Sequence, residues 1–166
     1  MASGDSLLTF KPYDNEPPAA TFATLDTRNG HPVLDFDGAT DEEAVFTGIL
    51  PANYSGGGLT IYLHVAFTTA TSGSAYWNTF IERMDDGTLD VDADSFTTHQ
   101  SAAGNPNATS GIMTLVTITY TAGAAMDNLA AGEMFRLKIR RDADGTNGTD
   151  DTTTDAELYG VEIKET

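Results

Sequence analysis

Cysteine is absent from this 166-residue chain, which removes disulfides, thiolate nucleophiles and sulfur-ligated metal centres in one step. Basic residues are scarce as well: 8 Lys and Arg stand against 25 Asp and Glu, a formal charge of -17. Every approach to phosphate would meet repulsion, so no nucleic-acid partner is expected. No apolar run reaches the roughly 18 residues of a membrane-spanning helix, so no membrane partner is expected and the chain reads as soluble. The opening residues carry no cation ahead of an apolar run. They are therefore not expected to be a secretory signal, and the mature chain is expected to begin near Met1.

What is present is β pattern. Phe135, Leu137 and Ile139 alternate with Arg136, Lys138 and Arg140, which puts apolar side chains on one face of a strand and cations on the other. Leu59, Ile61, Leu63, Val65 and Phe67 alternate in the same way with Thr60, Tyr62, His64 and Ala66. A third strand is predicted over 112–121, where Ile112, Thr114, Val116, Ile118 and Tyr120 share a side and β-branched residues abound. Weaker candidates lie at 21–26, 32–37, 44–49, 76–84 and 158–163. Between them stand turn formers such as Arg28-Asn29-Gly30, Ser55-Gly56-Gly57-Gly58 and Asp85-Asp86-Gly87. Many short strands punctuated in this way predict an all-β fold, an antiparallel, jelly-roll-like β-sandwich over residues 21–166. Helical character is confined to 124–131, at most two turns between Gly123 and Gly132.

Two segments read as non-core. Residues 1–20 contain Pro12, Pro17 and Pro18, which remove amide donors and favour an extended N-terminal arm over a central strand. Leu7, Leu8, Phe10 and Tyr13 give that arm apolar side chains, so it either docks on a neighbouring molecule or folds back on its own domain. Residues 97–110 are polar, with Gly104 and Pro106, and predict a long exposed loop.

Constellations that carry chemistry are few. His31, His64 and His99 fall in a turn, a strand and a loop, without the spacing of a zinc site. Asp90, Asp92 and Asp94 would align on one face of a strand, as a solvated acidic edge or a calcium site. Asp142, Asp144, Asn147, Asp150 and Asp151 make a second acidic loop whose oxygens suit Ca²⁺. Asn147 stands where an EF-hand loop opening at Asp142 needs glycine, so a turn between strands is expected, with Ca²⁺ as the lesser alternative. The triple glycine Gly56–Gly58 leads into a strand without a following Lys-Ser or Lys-Thr, unlike a phosphate loop. Asn53, Asn107 and Asn147 open glycosylation-type triplets, which mean little without a secretory signal. Tyr76 and Trp77 take opposite faces of their strand, so one of them is core. With 25 carboxylates in the chain, a glycosidase-like pair arises by chance, and no catalytic, cofactor-binding or metal-ligating residue is assigned. The expectation is a non-enzyme.

Several phrases together resemble small β-sandwich structural proteins of tailed-bacteriophage virions. They are Asn15-Glu16-Pro17-Pro18-Ala19-Ala20, the run 27–37 from Thr27 to Asp37, and the run 44–51 from Ala44 to Pro51. Thr71-Ser72-Gly73, the run 135–143 from Phe135 to Ala143, and Asp155-Ala156-Glu157-Leu158 complete the set. The resemblance implies a virion component made in the host cytoplasm. Foremost is a capsid decoration (cement) subunit, commonly a homotrimer, that bridges copies of the major capsid protein. A tail or fibre component, or a receptor- or carbohydrate-binding module using a loop such as 97–110, is the alternative. Under the leading reading, Arg136, Lys138 and Arg140 form a subunit contact with an acidic copy of the chain.

Overall fold

A computed structural model describes residues 4–166. Ten strands follow one another: β1 (Ser6–Phe10), β2 (Thr24–Arg28), β3 (His31–Phe36), β4 (Glu42–Ile49), β5 (Leu59–Phe67), β6 (Ala75–Met84), β7 (Gln100–Gly104), β8 (Thr114–Tyr120), β9 (Met134–Arg141) and β10 (Ala156–Glu165). They form two antiparallel sheets. The six-stranded sheet runs β2-β3-β10-β5-β8, with β1 also on β10, and the four-stranded sheet runs β4-β9-β6-β7. The all-β sandwich expected from period-two alternation is thereby present.

Parity along the strands builds the core. Ile61, Leu63, Val65, Val116, Ile118, Val161 and Ile163 of one sheet face Phe46, Trp77, Ile81, Phe135, Leu137 and Ile139 of the other, all buried. Trp77 meets Phe36 edge-on at 5.1 Å between ring centroids, an arrangement that suits the ring quadrupoles. Trp77 is thus the core member of the Tyr76–Trp77 pair. Asn29 and Gly30, with φ of 49° and 77°, close the β2–β3 hairpin in the left-handed region that a two-residue turn of this type requires.

The structure revises two expectations and narrows two others. The segment expected as an extended arm lies on its own domain: Ser6–Phe10 pairs with β10, and Leu7 and Phe10 are buried. The prolines act only after Phe10, where Pro12–Asp14 forms a 3-10 turn. The loop expected at 97–110 contains β7, which pairs with β6 along 75–79 because small residues there let the strand lie over Trp77. At Gly104 a Cβ would strike the Val116 side chain and lie 3.1 Å from Trp77 Nε1. Asp90, Asp92 and Asp94 occupy a turn, not a strand: Ala93 N and Asp94 N both donate to Asp90 O at 2.9 Å. The helical segment reduces to a 3-10 turn at Ala124–Met126.

The N-terminal segment also covers a sheet edge. Asn15 Oδ1 accepts from Val45 N at 3.0 Å, Glu16 N donates to Val45 O at 2.8 Å, and Ala23 N donates to Glu43 O at 3.0 Å. These bonds occupy the outer side of β4, blunting an edge that would otherwise invite another chain. At the far end of the pairing, Gly4 N donates to Glu165 O at 2.7 Å.

Candidate functional site

On the outer face of the six-stranded sheet, side chains of opposite parity to the core are left for other purposes. His64 of β5 lies opposite Gly160 of β10 and Leu115 of β8, and Tyr62 lies opposite Glu162 and Thr117. The register slips between Leu158 and Gly160, where two residues of β10 face one of β5. Such a bulge re-aims a side chain, here Tyr159. The slip coincides with a change of partner: β3 pairs with 156–158, whereas β1 pairs with 161–164.

Two adjoining hollows meet at Tyr159 and Met113. One, about 270 Å³, is walled by Arg28, Asn29, His31 and Gly111. The other, about 240 Å³, is walled by Lys11, His64 and Gly160. At Gly160 a Cβ would press on Phe10 O at 3.3 Å. Arg28 is a fixed wall: Nη1 donates to Glu157 Oε2 at 2.6 Å and Phe67 O at 3.0 Å. Tyr159 Oη donates to the same Glu157 oxygen at 3.4 Å. Burial and the Glu157 carboxylate push the Tyr159 phenol up, so it remains a protonated donor at neutral pH.

Lys11 differs from every other cation. Among the described residues, the other Lys and Arg all lie within 4.0 Å of a carboxylate. Lys11 is exposed and makes no ion pair among the described residues, so its ammonium is open to a ligand's oxygens. The cation stripe of β9 is in the opposite condition. Arg136 pairs with Glu82 at 2.9 Å, Lys138 with Glu43 at 3.1 Å and Arg140 with Asp41 at 3.7 Å. Lys138 Nζ also sits 4.4 Å above the Phe80 ring and 4.8 Å above Phe96, with His99 edge-on to Phe80 at 5.4 Å. Each of these cations thus has a carboxylate of its own domain within 4.0 Å, although Arg140 Nε is left without a hydrogen-bond partner.

The acidic loop after β9 is also engaged internally. Asp142 accepts from Asn147 N at 2.8 Å, Asn147 Nδ2 at 2.6 Å and Gly148 N at 3.2 Å. Asp150 receives Nε and Nη2 of Arg141 at 2.9 and 3.0 Å, and both of these side chains are fully buried. Asp151 caps the 71–74 turn, accepting from Ser74 N at 2.6 Å. Carboxylate oxygens of Asp41, Asp142 and Asp144 come within 4.8 Å of one another, with the Arg140 guanidinium 3.7 Å from both Asp41 and Asp142. The oxygens expected as Ca²⁺ ligands are therefore largely spent on backbone amides and arginine.

A separate acidic hollow of about 120 Å³ gathers Asp35, Asp37, Glu42 and Asp155. Burial, reinforced by Asp155 and Glu157, pushes the Asp35 carboxyl up to about 6. A hollow of about 360 Å³ at one end of the sandwich, between Tyr54 and Leu129, is walled mainly by Ala, Gly and Ser and holds no charged side chain.

His64 was expected as a half-exposed strand residue and is one. His31 joins the first hollow and His99 the other sheet, so the three histidines do not converge. Tyr159, Lys11 and Met113 were not singled out from sequence. A signal exists for Tyr159: in Leu158-Tyr159-Gly160-Val161 the two apolar residues stand three apart, a break in period two that marks a bulge.

No family model and no curated protein matches the chain. Solved structures do. A family 35 carbohydrate-binding module from an environmental isolate aligns at TM-score 0.55 and 9% identity, covering 95% of this chain and 93% of that one. The CBM22-2 xylan-binding domain of Paenibacillus barcinonensis Xyn10C aligns at 0.53 and 12%, covering 92% of each. The CBM22-1 and GH10 modules of Clostridium thermocellum Xyn10B align at 0.53 and 12%, with 98% of this chain matched to 29% of that one. At such identities the likeness concerns the β-sandwich fold.

Proposed function

We propose that this chain is a non-catalytic carbohydrate-binding domain that holds a glycan on the outer face of its six-stranded sheet, along the hollows that meet at Tyr159. The observation that carries the reading is that pair of hollows, about 270 and 240 Å³, within the range of roughly 300–1,000 Å³ for small-ligand sites when taken as one groove. Tyr159 offers an aromatic face for the C–H side of a pyranose ring, and Met113 extends it. Lys11, His31 and His64 supply donors and acceptors for hydroxyl groups from three different strands or turns. The β scaffold holds these groups before ligand arrives, so little ordering cost opposes binding.

A fold hosts many functions, so the site and not the topology bears the weight. The comparisons support the carbohydrate-binding alternative over virion decoration: three similar structures contain carbohydrate-binding modules. Of the phage resemblance, the small β-sandwich is the part retained.

Affinity electrophoresis in gels containing soluble polysaccharides tests the proposal. Retardation by at least one polysaccharide is expected. Tyr159→Ala is expected to weaken it at least tenfold, as loss of a central aromatic contact does, and Tyr159→Phe to retain most of it. Failure of every polysaccharide to retard the protein, or unchanged binding by Tyr159→Ala, would refute the assignment.

A further inference from the structure

The segment joining β1 to β2 builds a further hollow of about 220 Å³, lined by Pro12, Tyr13, Asn15, Pro17, Phe22 and Leu25. Its rings are unusually open to solvent: Tyr13 is 69% exposed and Phe22 43%, with Leu25 at 49%. Large apolar side chains grouped around one concavity mark a binding site more often than chance exposure does.

Both lips of this groove are fixed. Asn15 and Glu16 are tied to Val45, while Thr21 O and Ala23 N are tied to Glu43 at 2.9 and 3.0 Å, two residues along the same edge of β4. The 3-10 turn beneath Tyr13 is held by Asp14 N to Lys11 O at 2.9 Å and Lys11 N to Asp14 Oδ2 at 2.7 Å. Thr21 adopts φ 51°, a left-handed conformation that a β-branched residue takes only when its surroundings impose it. That residue sets the direction of Phe22.

We infer that this groove is a second glycan site, distinct from the Tyr159 face, and that it takes a neutral saccharide. None of the lining residues is charged, and of the charged residues flanking the groove in sequence Asp14 and Glu16 offset Lys11, so a neutral ligand suits it. Tyr13 and Phe22 present aromatic faces to the C–H side of pyranose rings. Asn15 Oδ1 is committed to Val45 N, leaving its Nδ2 donors for a hydroxyl. Two hollows on one domain, walled by the consecutive residues Lys11 and Pro12, would let a single polymer chain be held at two points, which multiplies avidity without any new contact.

The test uses the full chain with neutral polysaccharides (xylan, mixed-linkage β-glucan and mannan) in native affinity gels, and NMR titration with the matching oligosaccharides. Tyr13→Ala and Phe22→Leu are each expected to weaken retardation at least threefold and their combination at least tenfold. Melting temperatures should stay within a few degrees of the parent, because both side chains are largely outside the core. Oligosaccharide is expected to shift amide signals of residues 12–25 as well as those around Tyr159, and Tyr159→Ala to abolish only the latter set. Parental binding by the Tyr13 and Phe22 double variant, with loss in Tyr159→Ala, overturns the second site and leaves the first standing. The reverse pattern supports the groove and refutes the face. Binding by none of the three polysaccharides overturns the groove as a neutral-glycan site.

Discussion

Replacing Arg141 by methionine is expected to remove a large share of the stability of this domain. Its guanidinium is fully buried beside the equally buried Asp150. Nε and Nη2 grip the two carboxylate oxygens at 2.9 and 3.0 Å. Nη2 also reaches Thr152 O at 2.6 Å and Thr152 Oγ1 at 2.8 Å, and Nη1 reaches Thr154 O at 2.7 Å and Phe36 O at 3.4 Å. One side chain thus satisfies the loop before β10 and the end of β3 together. Methionine fills similar volume but strands a carboxylate and several carbonyl oxygens out of water. Breaking a buried pair from one side costs about 3–5 kcal/mol, a fifth or more of a typical total of roughly 5–15 kcal/mol. At about 2–4 °C per kcal/mol for a domain of this size, the melting temperature should fall by roughly 6–20 °C. Urea unfolding followed by circular dichroism gives the free energy directly. Asp150→Asn added to Arg141→Met should recover part of the loss, because the stranded charge is then gone. A single-variant cost below about 1 kcal/mol, against the 3–5 kcal/mol expected for a buried pair, would refute the reasoning.

Three further outcomes follow from the packing and the titrating groups. The Asp35 carboxyl sits at about 6 in the folded protein against roughly 3.9 when unfolded. Its ionisation therefore opposes folding above pH 6, and that penalty fades as pH falls toward 4. Asp35→Asn should stabilise the domain by roughly 1–2 kcal/mol at pH 7.5, after discounting for partial exposure, and by nothing at pH 4; equal gains at both values in urea titrations would contradict this. Gly104→Ala should destabilise by about 1–3 kcal/mol through overpacking against Val116 and Trp77, seen as a lower melting temperature with an altered near-ultraviolet signal from the lone tryptophan. Phe10→Ala should cost about 3–5 kcal/mol, since Phe10 stacks on Phe46 at 5.2 Å. Unchanged unfolding of that variant would mean the segment does not belong to its own core.

Much of the sandwich was legible because burial imposes a period. Leu59–Phe67 and the β9 alternation read directly as strands, and Asn29-Gly30 announced its hairpin. Arg141 was readable too: it falls on the odd, inward parity of Phe135, Leu137 and Ile139. What escaped was decided by partners distant in sequence. β7 has the composition of a loop, Gln100-Ser101-Ala102-Ala103-Gly104, and becomes a strand because β6 offers an edge over which small residues fit. β1 was obscured by the prolines that follow it. The Tyr159 hollows arise where β10 exchanges β3 for β1, a meeting of segments more than a hundred residues apart, which local periodicity does not encode.

The contact between Gly4 N and Glu165 O, 2.7 Å long, has a topological consequence. Since β1 and β10 lie side by side and their outer ends coincide, a linker of a few residues from Gly4 to Thr166 would turn the path of the chain into a loop without stretching any element. Fresh ends opened in the exposed turn around Asp86 and Gly87 would interrupt no sheet ladder. A circularly rearranged protein of that design should keep both sheets and place its new ends well away from the original pair.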